Sequence, residues 1–179
     1  MTAFALPFPR RSPAKAGGFD IGHVARTAVG LVCFTMSFLV LLAVGRALLG
    51  MVPDLHHYAK VPIIVHVVAV IPCIPLGGYL LLAPKGTARH KMLGKVWLVL
   101  MLVTATSAIF IQTTGGFSWL HAFVPITFHA AWKVIATARR GDIAVHKRHL
   151  VTTYLTALTL PGIAAMAIPG RLLNTMLLG

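Results

Sequence analysis

The sequence predicts an all-α protein: a polytopic transmembrane helix bundle of about five spans, with the N-terminus in the cytoplasm and the C-terminus outside. Three observations predict it. Apolar stretches of about 20 residues, the length one helix needs to cross a hydrocarbon core, recur along the chain. Of its 179 residues 58% are hydrophobic and 11% charged, about half the charged share of a soluble domain. The positive charge gathers in alternate loops.

The first span, Thr27–Leu49, is uniformly apolar and is expected to face lipid. The second, Val61–Leu82, starts with Pro62, holds His66 and runs Ile71-Pro72-Cys73-Ile74-Pro75-Leu76-Gly77-Gly78. Two prolines and two glycines imply a kink or a non-standard turn, and neighbouring helices must then satisfy the freed carbonyls. The third, Val96–Ile111, carries Thr104, Ser107 and Ala108 on one face, where small residues permit close helix approach. The fourth, Phe117–Ala138, places His121, Pro125 and His129 four apart on one broad face. The fifth, Leu150–Ile168, continues from His149 as a stripe of Thr152, Thr156 and Thr159, read as helix packing rather than a ligand lining. Arg171–Gly179 reads as a short apolar helix or tail at the outer surface. Spans this long and continuous exclude barrel strands. A flexible basic arm over residues 1–23 precedes a single bundle domain over residues 24–179. The arm does not read as a cleaved signal, because the first span is too long for one and no small-x-small site follows it.

A formal charge of +13 points to nucleic acid in a soluble protein, but here it follows the positive-inside rule. Thirteen of the 16 Lys and Arg fall on the inner side, leaving Arg46, Lys60 and Arg171 outside. The expected location is the bacterial inner membrane, with no nucleic-acid partner. Each inner cation attracts anionic membrane lipids by about 1 kcal/mol. Cys33 and Cys73 lie inside spans and read as packing residues, not a disulfide. There is no Glu, and Asp20, Asp54 and Asp142 lie in the tail or loops. Paired-carboxylate catalysis is excluded, and proton or cation transport lacks its usual buried carboxylate. No phosphate loop, Cys-x-x-Cys or HExxH helix occurs, and no catalytic residue is assigned.

Nine histidines remain as the chemistry on offer. On this topology they form two tiers. His56, His57, His66, His121 and the deeper His129 are outer; His90, His146 and His149 are inner; His23 opens the first span. A haem between two helices needs one imidazole from each at matched depth. His66 and His121 are level, with His129 two turns deeper; His90 is level with His146 and His149. The alternatives are headgroup contact for the histidines at helix ends, and a hydrogen bond to a neighbouring helix for His66 and His129. A metal set of His66, His121 and His129, or a zinc or copper site using His56 and His57 with His66 and His121, is also open.

Two inner loops carry a resemblance. His90-Lys91-Met92-Leu93-Gly94-Lys95-Val96-Trp97 resembles a His-basic-x-x-Gly-basic-x-aromatic motif. Arg140-Gly141-Asp142-Ile143-Ala144-Val145-His146-Lys147-Arg148, followed by Tyr154, resembles a second motif of the same family. That family is a group of bacterial predicted membrane proteins of unknown function, and the likeness runs from His66 to the end of the fifth span. Its layout is similar to small membrane cytochromes that hold b-type haem between histidines. The resemblance implies roles for His66, His90 and His146. His149 departs from it, since the family usually has Trp there and Met where Leu150 stands. The expected function is thus a small inner-membrane protein that binds haem b, with Arg89, Lys91, Lys147 or Arg148 pairing with its propionates. It would serve electron transfer, to quinone or within a larger redox complex. The alternative is a cofactor-free accessory subunit packed beside a larger membrane complex.

Overall fold

A computed structural model of the chain describes residues 22–52, 55–112 and 116–179. Of the arm expected over residues 1–23, all but Gly22 and His23 lies outside the described residues. Helices α1 (His23–Leu48), α2 (Val61–Leu82), α3 (Ala88–Ile109), α4 (Phe123–Arg140) and α5 (Ile143–Ala167) form an up-and-down bundle, and a short α6 (Leu172–Leu178) closes one end. Among the described residues there is no strand.

Four helices, α1, α2, α3 and α5, are long and apolar enough to cross a membrane. The fourth expected span, Phe117–Ala138, emerges as a 3-10 turn (Trp119–Ala122) followed by α4, and it falls short on composition because it includes Lys133, Arg139 and Arg140. Its packing against both α3 and α5 still makes it a leg of the bundle. Its 18 residues reach about 27 Å, close to a hydrocarbon thickness of about 30 Å. Large apolar side chains cover the outside of the bundle, including Leu31, Phe34, Phe38 and Leu41 on α1 and Val99 and Val103 on α3. Only lipid tolerates so continuous an apolar exterior.

Helix ends follow local chemistry. α2 has the bounds expected of it, but α3 starts at Ala88, earlier than Val96, because the Thr87 hydroxyl accepts from the His90 N–H at 3.1 Å. Likewise α5 starts at Ile143, where the Asp142 carboxylate accepts from the Val145 N–H at 3.2 Å. Between them, Gly141 ends α4 with φ of 73°, a left-handed backbone that favours glycine.

The core forms where α2 is weakest. Pro72 and Pro75 remove two N–H donors from it. Trp97 of α3 donates its indole N–H to the Cys73 carbonyl at 3.0 Å, and Tyr154 of α5 donates its hydroxyl to the Ile74 carbonyl at 3.0 Å. The carbonyls that the two prolines free stand four residues earlier, at Val68 and Ile71, so these two rings anchor the adjoining turn rather than replace the lost bonds. They approach because Gly77 and Gly78 have no side chain: a methyl on Gly77 would stand 2.7 Å from the Tyr154 ring and 2.8 Å from Trp97 Nε1. On Gly78 it would collide with the Cys33 sulfur. Cys33 and Cys73 are free thiols, as expected.

Around Tyr154 the fifth helix widens into a π turn, Tyr154–Thr159. The Thr159 hydroxyl donates to the Tyr154 carbonyl at 2.9 Å, and Pro161 just beyond has no N–H for Ala157. Substituting Gly77→Ala is expected to destabilise the bundle by about 1–3 kcal/mol through overpacking. Tyr154→Phe, which leaves the Ile74 carbonyl without its strongest donor, is expected to lose about 1–2 kcal/mol. Thermal unfolding of the detergent-solubilised protein measures both, and Gly94→Ala, where a methyl meets nothing within 4 Å, should leave the midpoint nearly unchanged.

Candidate functional site

A cavity of about 250 Å³ opens at the end of the bundle closed by α6. Its walls are mostly apolar residues of α1, α2, α3 and α5, including Met36, Ile71, Met101 and Leu158. The π turn matters here, since Tyr154, Ala157, Leu158 and Thr159 all line the space. A floor of α6 residues (Leu172, Leu173 and Met176) completes it. The C-terminal segment thus docks on the bundle. Arg46 on α1 holds it, donating to Met176 O at 3.1 Å and Gly179 O at 2.8 Å.

Polar groups converge on one side of this apolar space. The His66 Nδ1 lies 3.0 Å from the Thr104 carbonyl, which can only accept, so the proton sits on Nδ1. Ser107 also donates to that carbonyl at 3.0 Å and flanks the imidazole at 3.3 Å. Nε2 of His66 is then an acceptor on a ring that borders the cavity. His121 is held within its own turn. Its Nδ1 lies 3.0 Å from the Ser118 backbone N and 3.1 Å from the Ser118 carbonyl, so one residue offers that nitrogen both a donor and an acceptor. His121 Nε2 is buried and has no partner. Ser118 is itself steadied by Arg171, whose guanidinium donates to its hydroxyl at 3.3 Å.

Thr104 supplies a third group. Its hydroxyl is buried without a hydrogen-bond partner of good geometry; the Cys73 thiol adjoins it but donates to the Ala69 carbonyl at 3.3 Å. Orphaned buried polar atoms are rare in folded proteins. Here two of them, His121 Nε2 and Thr104 Oγ1, border the same cavity as His66. The site therefore gathers two imidazoles and a hydroxyl-bearing side chain around one apolar space.

Other histidines lie elsewhere. His129 sits on the exposed outward face of α4 beside Trp132, so the structure does not bring it to His66 and His121. Among the described residues no group of three His, Cys, Asp or Glu side chains could hold a metal ion. At the opposite end of the bundle His146 ties α5 to α4, its Nδ1 donating to the Val134 carbonyl at 3.0 Å. His90 lies in the same region with Nδ1 buried and unpartnered. Neither lines the cavity. His149 is half-buried one turn beyond His146, while Arg89, Lys91 and Arg148 are exposed at that end, with Arg89 over the Tyr79 ring.

His66 and His121, the outer pair expected at one level, both line this cavity. Sequence reasoning placed His66 and His121 at one level but missed Thr104, Ser118 and Arg171 as their partners. Thr104 stood out only as a small packing residue, and nothing in a linear sequence shows that its hydroxyl closes on the same space as an imidazole 38 positions away.

The basic end has its own signature at Lys85, whose ammonium donates to Leu81 O at 2.6 Å and Ala83 O at 3.1 Å. Burial pushes this amine down to about 8, and the charge of Lys147 adds to the effect. The fold thus holds the Lys85 proton less tightly than the unfolded chain does. Stability rises as pH climbs from about 8 toward the ordinary 10.5, and that gain is absent below 8. Acylation of Lys85 over a pH series, read by mass spectrometry, is expected to show a midpoint near 8 that moves upward in Lys147→Gln.

The family described as "predicted membrane protein (DUF2306)" matches residues 63–176, which takes in α2 to α6 and both polar walls of the cavity. No curated protein matches the chain, and no solved structure does.

Proposed function

Because the chain belongs to this family of predicted membrane proteins, we propose a function suited to a bilayer-embedded bundle: it binds the polar head of a membrane-soluble quinone and serves as a small subunit beside a larger membrane redox complex. The observation that carries this reading is the enclosure of two unpartnered polar atoms, His121 Nε2 and Thr104 Oγ1, in one apolar cavity with His66. A quinone ring has two carbonyl oxygens, and a quinol has two hydroxyls. With its proton on Nε2, His121 donates to a carbonyl oxygen, while His66 Nε2 accepts from a hydroxyl. Thr104 serves either form, because a hydroxyl both donates and accepts. The site is thus matched to the two redox states of one ring, and the apolar walls suit an isoprenoid or alkyl tail.

We place the basic end in the cytoplasm, following the positive-inside rule, so that the cavity opens toward the outer leaflet of the bacterial inner membrane. The cations at the basic end bind anionic lipid there. Haem remains the competing occupant, with His66 prepared as one ligand by its Nδ1–H bond to Thr104 O.

Titrating the purified protein with a short-chain benzoquinone is expected to show saturable binding. His66→Gln and Thr104→Val should each weaken it by about tenfold, the value of one net hydrogen bond. Binding that is absent, or indifferent to both changes, would overturn the reading. The absorption spectrum of the same sample should lack a Soret band; a band lost in His66→Gln would instead establish haem.

A further inference from the structure

We infer that the outward face of α4 is the docking surface for a transmembrane helix of a different protein, one that carries a carboxyl side chain near mid-membrane depth. This goes beyond the cavity reading. It uses the opposite face of α4 from Thr127 and Val124, which line the cavity, and it stands whatever the cavity holds.

The argument starts from depth. Phe117 and Trp119 are exposed where α4 begins, in the position of an interfacial aromatic belt. From Trp119 to His129 the chain climbs a 3-10 turn and nearly two α turns, a rise of about 17 Å. In a core about 30 Å thick, His129 is near the middle. It is nevertheless exposed, and among the described residues its one contact of note is the Trp132 ring, with centroids 5.9 Å apart. An imidazole facing hydrocarbon at that depth has no water to bond and is costly. Buried polar groups in membranes are instead satisfied by neighbouring helices.

The surroundings have the form of a helix seam. Pro125, Ile126, His129 and Trp132 are exposed at i, i+1, i+4 and i+7, a ridge down one side of α4. One step further, Lys133 rests its ammonium 5.3 Å from the Trp132 ring centroid. Both side chains on this seam that need a polar partner are therefore bases.

Charge decides the occupant. Copies of this chain share one orientation in the membrane, so a two-fold pairing through α4 would set Lys133 against Lys133 and His129 against His129. No span of the chain contains a carboxylate to relieve that, since the three acids are Asp20, Asp54 and Asp142. A helix of another protein with Asp or Glu at the depth of His129 meets that imidazole and lies one turn from Lys133. Lipid headgroups reach Lys133 but offer His129 nothing at mid-depth.

The test uses the full chain, fluorescently labelled, in liposomes with synthetic Leu-Ala transmembrane peptides whose central residue is Glu or Leu. Energy transfer is expected to show the Glu peptide binding at least tenfold tighter than the Leu peptide. The preference should collapse toward one in His129→Leu and be partly kept in His129→Gln. Equal binding of the two peptides, or binding of neither, would overturn the inference. So would self-association of the labelled protein that depends on His129, because a second copy would then be the occupant. His129 is on the surface, so its removal leaves the core intact, and an unchanged unfolding midpoint in His129→Leu checks this.

Discussion

The bundle depends on one segment of α2, residues 72–78, on which three other helices converge. Its two prolines withhold N–H donors from the Val68 and Ile71 carbonyls. The neighbouring carbonyls of Cys73 and Ile74 are docking points for the largest polar-tipped side chains of α3 and α5. Gly77 and Gly78 clear the space those rings fill, and Cys33 of α1 fits against Gly78. Three helices are thereby registered against one short segment. In a membrane there is little hydrophobic drive between helices, so packing and such hydrogen bonds must hold the bundle together.

The cavity lies beside the same arrangement. Tyr154 and the π turn that it begins put Ala157, Leu158 and Thr159 into the wall. A void between membrane helices would normally fill with side chains or lipid. Here α6, tied down by Arg46, by Asn174 to the Met166 carbonyl and by Tyr58 to the Gly170 carbonyl, covers it. The protein uses backbone carbonyls as anchors because it has so few acids to pair with its cations.

Much of the fold was legible in the sequence because its signals are periodic or compositional. Apolar length located the legs, the Pro-Pro-Gly-Gly run marked the irregular segment of α2, and Trp97 and Tyr154 already stood out in the loop motifs that resemble the matched family. Their structural role explains why such residues belong to a motif without any chemistry assigned to them. Helix starts were less legible, since Thr87 and Asp142 extend α3 and α5 into basic stretches that hydropathy reads as loop. The site was legible only in part. Levels along an axis can be counted, which placed His66 with His121, but the direction of a ring nitrogen depends on neighbours such as Ser118 and Thr104 that no spacing rule connects. For the same reason His129, expected on one broad face with Pro125 and His121, stands outward with Pro125 while His121 lines the cavity.

The two histidines of the cavity are anchored differently. His66 is fixed from another helix, its Nδ1 donating to the Thr104 carbonyl of α3, which leaves Nε2 as an acceptor. His121 is held within its own 3-10 turn, where Ser118 sets both its N–H and its carbonyl against Nδ1, at 3.0 and 3.1 Å. The first ring therefore keeps one tautomer, while the second finds a partner in Ser118 whichever nitrogen carries its proton. A ligand whose carbonyl and hydroxyl groups interconvert would be served by such a pair, because the second imidazole can donate to one form and accept from the other.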